Sequence, residues 1–132
     1  MYGKEDEYVD ENELRERLLY KKITDISDDK VVLEDGTELS IECTEYDCCA
    51  GGGGEFEWDA SSLEAVITDV NVGEEVDVPD DDTFVSANTI TIFHNQNSVV
   101  KANATTDAGN GGFYYSVTSL RIGEVYFPFV RA

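Results

Sequence analysis

A chain of 132 residues with 29 acids, nine Lys or Arg and one His carries a formal net charge of −20, and its length fits one domain that buries roughly two thirds of its unfolded surface. Such a field repels nucleic acid and anionic lipid and draws in basic surfaces with fast, salt-sensitive association, which argues against direct nucleic-acid binding. The apolar runs fall far short of the roughly 20 residues of a membrane helix, and the N-terminus lacks the basic and apolar regions of a signal peptide, so a cytoplasmic protein with no membrane partner is expected.

Residues 1–9 read as an acidic, flexible arm and residues 10–132 as the α+β core of a single domain. Asp10, followed three residues later by Glu13, makes a capping box, and Val9 and Leu14 stand at the positions of a hydrophobic staple. Leu14 and Leu18 share a face, and Lys21 and Lys22 fall where cations favour a helix end, so a helix is predicted over residues 11–20.

Beyond it the period changes to two, first across Lys22 to Ser27, then across Lys30 to Glu34 and Thr37 to Tyr46. Asp35-Gly36 predicts a type I′ hairpin turn, in which both central residues take positive φ. In the strand that follows, Leu39, Ile41 and Cys43 point one way and Glu38, Ser40 and Glu42 the other. Ala50 to Gly54, with four consecutive glycines, reads as a loop. Strands are predicted near Glu55 to Trp58 and Leu63 to Val72, then an acidic connection over residues 73–82. The remainder reads as a four-stranded meander near residues 88–94, 98–103, 112–120 and 124–130; with eight of the aromatics, it is expected to supply most of the core.

Acidity is confined to one part of the chain: residues 1–82 hold 27 acids and six bases, residues 83–132 two acids and three bases. The densest clusters, Glu5-Asp6-Glu7 and Asp80-Asp81-Asp82, are the candidate binding residues. Cys43, Cys48, Cys49 and His94 together could form a Cys3His zinc site, but adjacent cysteines on an extended segment point to opposite faces, and packed, reduced thiols fit better. A cysteine nucleophile would need His94 as its base; in phase with Ile90 and Ile92, that imidazole reads instead as an inward or rim residue at a strand end. Gly51 to Gly54 lacks the lysine and hydroxyl of a phosphate loop, and Asp77 with Asp80 to Asp82 lacks the alternation and central glycine of a calcium loop. No catalytic residues, no metal and no cofactor are assigned, and the expected protein is not an enzyme.

The stretch Glu45-Tyr46-Asp47-Cys48-Cys49, following the Leu33 to Leu39 hairpin, resembles a family of small proteins of unknown function from tailed bacteriophages of actinobacteria. Lys22 to Ile26, Ile67 to Val70 and Asn110 to Val117 extend the resemblance to about residues 19–120. Asp47, Cys48 and Cys49 form its most specific motif, of unknown role; such sequences commonly continue with a carboxylate, where this chain has Ala50 and glycines. The resemblance implies a phage origin and a setting in the host-cell cytoplasm, and it supplies no catalytic residues.

The expected fold is α+β: an N-terminal helix packed on a twisted, mainly antiparallel sheet or small open barrel of seven to nine strands. The expected function is that of a non-enzymatic accessory protein whose acids bind a basic host protein, as a nucleic-acid mimic or an inhibitor of host defence. Two other expectations are a virion-associated or oligomerising protein using the aromatic end Tyr126 to Phe129, and a small-molecule binder using the glycine-rich segments with Tyr114 and Tyr115.

Overall fold

The computed structural model describes residues 7–46, 50–78, 84–109 and 115–132. Asp10 opens helix α1 (Glu11–Leu18) by accepting the Glu13 N–H on its side chain at 2.9 Å, which satisfies one of the helix's free donors. Leu14 and Leu18 are fully buried. The helix stops two residues earlier than predicted: Leu19 N–H still bonds Arg15 O, but the Tyr20 N–H leaves the helix ladder. Tyr20, with φ at 67°, donates to Ile67 O at 2.7 Å. Just ahead of α1, Tyr8 forms a parallel bridge with Tyr126, and Val9 N–H donates to Tyr126 O at 2.9 Å.

Among the described residues ten strands form two antiparallel sheets, neither closed into a barrel, so the fold is mainly β with an N-terminal helix. The first sheet has the order β1 (Ile23–Ile26), β2 (Val31–Leu33), β3 (Glu38–Tyr46), β9 (Ser116–Ile122), β10 (Val125–Arg131). The second has the order β4 (Gly52–Trp58), β8 (Asn97–Asp107), β7 (Val85–His94), β5 (Asp69–Val72), with β6 (Val76–Val78) also paired to β7. The expected meander is therefore two separate hairpins: β7–β8 belongs to one sheet and β9–β10 to the other.

The two turns exchange roles relative to expectation. At Asp35-Gly36 only Gly36 has positive φ (89°); Gly36 N–H donates to Leu33 O, Leu33 N–H to Thr37 O, and the Asp35 carboxylate takes the Thr37 N–H. This is a three-residue loop with glycine in the left-handed position rather than a type I′ turn. The two-residue turn with both φ positive is Asn95-Gln96 (49° and 71°), where His94 pairs with Asn97.

The glycine run is strand, not loop: Gly52 to Gly54 pair with Thr106 to Ala104 of β8. A Cβ on Gly52 would collide with Thr118 Oγ1 of the facing sheet, and one on Gly54 with Asn103 O of the adjacent β8, so the bare backbone permits both approaches. Of the strand expected over Leu63 to Val72 only β5 (Asp69–Val72) forms, and a three-residue 3₁₀ turn, Ala60–Ser62, precedes that region.

The buried faces of both sheets and α1 share one core, drawn equally from the two halves of the chain. It does not come mainly from the aromatic C-terminal half as expected; aliphatic Ile23, Leu33, Leu39, Ile67 and Val70 match Ile90, Ile92, Leu120 and Ile122 in full burial. Phe127 and Phe129 close the core, and Phe84 is 64% exposed.

Candidate functional site

Six of the eight described Lys and Arg side chains are held by the protein's own acids, Lys101 and Arg131 being the exceptions among the described residues. Arg15 lies 2.8 Å from Asp69 and 3.4 Å from Glu11, Arg17 2.8 Å from Glu13, Lys21 2.7 Å from Asp35, and Lys22 3.2 Å from Glu64. On the outer face of β3 and β9, Arg121 Nε donates to Glu42 Oε2 (2.9 Å) and Ser40 Oγ (2.8 Å), while its Nη1 donates to Gly123 O (2.9 Å). These pairs stiffen the first sheet and tie α1 to β5. They also consume the positive charge locally. Exposed carboxylates without an ion pair among the described residues remain along β4 (Glu55, Glu57), at Asp28 and Asp59, and before and within β6 (Glu74, Asp77).

Of the predicted binding residues, Glu7 is exposed immediately before Tyr8. Glu5, Asp6, Asp80, Asp81 and Asp82 lie outside the described residues, as does the motif Asp47, Cys48 and Cys49. The described residues flanking two of these segments meet at one end of the sandwich. Tyr46 pairs with Ser116, Asp107 N–H donates to Gly51 O at 2.9 Å, and Ala108 N–H donates to Phe84 O at 2.8 Å. Thus the strand ends at 46, 51, 84, 108 and 116 are neighbours, a proximity that sequence spacing could not reveal because the pairings are long-range.

Cys43 and His94 stand at opposite ends of the molecule. Cys43 lies beside Gly52 and Asp107, and its thiol donates to Glu45 O at 3.5 Å; burial, with the Asp107 charge adding to it, pushes that thiol up. His94 closes β7 at the other end, roughly 30 Å away along that strand at about 3.3 Å per residue. Its Nδ1–H donates to Val66 O at 2.6 Å, leaving Nε2 to accept from Asn95 Nδ2 at 3.3 Å, as befits a rim histidine. The two side chains therefore cannot act as a thiol and its base, nor ligate one ion. Among the described residues no group of three His, Cys, Asp or Glu side chains is placed to hold a metal.

A buried hydroxyl chain, not anticipated from the sequence, crosses the first sheet. Tyr8 OH donates to Glu45 Oε2 at 2.6 Å and lies 2.8 Å from Thr44 Oγ1, which lies 2.8 Å from Ser119 Oγ. Burial, reinforced by the Glu45 carboxylate, pushes the Tyr8 phenol up to about 12. It is a structural tether for the segment before α1. No helix among the described residues is long and apolar enough to cross a membrane.

The chain matches the family described as Domain of unknown function (DUF7448) over residues 16–121 and belongs to that family. No curated protein and no solved structure is similar enough to match it.

Proposed function

We propose that this DUF7448 protein is a non-enzymatic phage accessory protein, acting in the host cytoplasm, whose carboxylates bind a basic host protein surface. The observation that carries the reading is the disposition of charge. Arg15, Arg17, Lys21, Lys22, Lys30 and Arg121 each lie within 4.0 Å of one of the protein's own acids, so the excess acids face solvent uncompensated. With 29 acids against nine Lys or Arg, and six of those cations spent on internal pairs, the remaining field is strongly negative, which steers a basic partner and repels other anions. Duplex DNA offers one charge per roughly 1.7 Å of axis. A protein site that normally holds phosphates is the kind of surface such a field fits, and mimicry of nucleic acid follows as its specific form.

The test is an affinity pull-down from actinobacterial lysate at about 0.05 M and about 0.5 M salt, where the screening length changes several-fold. One dominant basic protein retained at low salt and released at high salt is the expected result. A partner held equally at both, or an acidic partner, would overturn the reading.

A further inference from the structure

We infer that the border of the second sheet at β6 is a docking edge for an extended segment alternating apolar with Lys or Arg residues. This rests on the basic-partner reading and specifies where and how that partner seats. Among the described residues β6 pairs on one side only, Val76 with Ala87, Asp77 with Ser86 and Val78 with Val85 of β7. Alternation puts Val76 and Val78 on the outer face of the sheet and Asp77 on the other. Val76 is 57% exposed and Val78 37%. They continue into half-buried Val85 and Ala87, with exposed Phe84 at the same corner, so the apolar surface is a connected patch rather than scattered side chains.

Charge decides the occupant. An uncovered strand with exposed valines is a template for another strand, ordinarily guarded by lysine, proline or a bulge. Here the guard is negative: Glu74 and Asp77 are exposed at the edge itself, and Asp107 of β8 pairs with Val85 of β7. Arg131 donates its backbone N–H to Glu75 Oε1 at 2.8 Å, and its side chain pairs with no acid among the described residues. A second copy of this chain brings another charge of −20 and is repelled. A basic strand is attracted, its apolar side chains extending the Val76–Val78 row and its cations meeting Asp77 on the opposite side. β6 is only three residues long, which limits the added backbone pairing and leaves apolar and charge contacts to supply selectivity.

The experiment is fluorescence anisotropy with the full chain and two labelled probes, a peptide alternating Lys and Val and one alternating Lys and Ser, at low salt. The expected result is that the Lys–Val peptide binds about tenfold more tightly than Lys–Ser, the order of effect of burying a valine or two. Val76→Thr with Val78→Thr, exposed positions where threonine keeps strand preference, should abolish that difference and leave Lys–Ser binding unchanged. Phe84→Ser serves as a second variant outside the strand and should weaken Lys–Val binding alone. Equal binding of the two peptides, or variants that bind like the wild type, would overturn the docking edge and leave the basic-partner reading standing. Failure of both basic peptides to bind would overturn that reading and the edge with it.

Discussion

Tyr8 OH donates to Glu45 Oε2 at 2.6 Å across 37 residues of sequence, and Glu45 is only 7% exposed. Burial raises the phenol to about 12 from an unfolded value near 10, so the folded state favours the neutral form. Its contribution to stability is therefore complete below pH ~10 and is lost as pH rises through ~12. Tyr8→Phe removes a donor from a buried carboxylate, at an expected cost of about 1–3 kcal/mol in denaturant unfolding. Its stability should also fall less steeply than the wild type's between pH ~10 and ~12. Parallel alkaline limbs in the two proteins would show that the tether carries no such linkage.

The glycines of β4 should differ sharply among themselves. An added Cβ at Gly52 or Gly54 meets a neighbouring side chain or backbone, whereas at Gly53 nothing lies within 4 Å. Gly52→Ala and Gly54→Ala are expected to destabilise by about 1–3 kcal/mol, as overpacking does. Gly53→Ala should be neutral or slightly stabilising, since it restricts the unfolded chain. Thermal melts of the three variants decide it; equal melting temperatures would mean that the strands can separate to admit a methyl group at little cost.

That contrast also marks where sequence reasoning reached its limit. Asp10 and Glu13, Leu14 and Leu18, and the alternation through Leu39 carry local signals, and each reappears as a cap, a buried face or a strand. Gly52 to Gly54 carries no side-chain period, and it becomes strand only because β8 and Thr118 lie against it, contacts tens of residues distant. Likewise β8 and β9 are successive strands in different sheets, a division set by β3 pairing with β9 and β4 with β8. Density along the chain singles out Glu5-Asp6-Glu7 and Asp80-Asp81-Asp82. Exposed acids at Glu55, Glu57 and Asp77 gain interest from the strand edges they occupy, which density does not reveal.

Acid should weaken the β2–β3 loop. Lys21 Nζ lies 2.7 Å from Asp35 Oδ2, and that pairing, with the Thr37 N–H on Oδ1, holds the carboxyl well below its usual range. A depressed carboxyl contributes stability above its unfolded value near 4, and the contribution is lost as pH falls through the folded one. Asp35→Asn keeps an acceptor for Thr37 and loses the charge, so the variant should have a shallower acid limb than the wild type below pH ~4. Urea midpoints at pH ~5 and ~2.5 measure this. The pair is exposed and the effect small, so raising the salt should shrink the difference further.

Asn88 joins the two sheets by a single polar side chain at a buried position, 7% exposed. Its Nδ2 donates to Phe129 O in β10 at 2.7 Å, and its Oδ1 accepts the Thr89 N–H at 2.8 Å. Asn88→Leu keeps the branching of the side chain but leaves the Phe129 carbonyl without this donor, at an expected cost of about 1–3 kcal/mol. Asn88→Asp should be worse near neutral pH, because an ionised carboxyl there cannot donate and burial disfavours its charge. Burial raises that carboxyl's folded pKa, so its penalty is greatest well above the folded value and relaxes as pH falls through it. Once protonated, the O–H can donate to Phe129 O. Compared with the wild type at each pH, Asn88→Asp should therefore recover stability between pH ~7 and ~5 while Asn88→Leu does not. If both variants keep a constant deficit across that range, the inter-sheet bond does not govern stability at this position, and packing of Phe129 does.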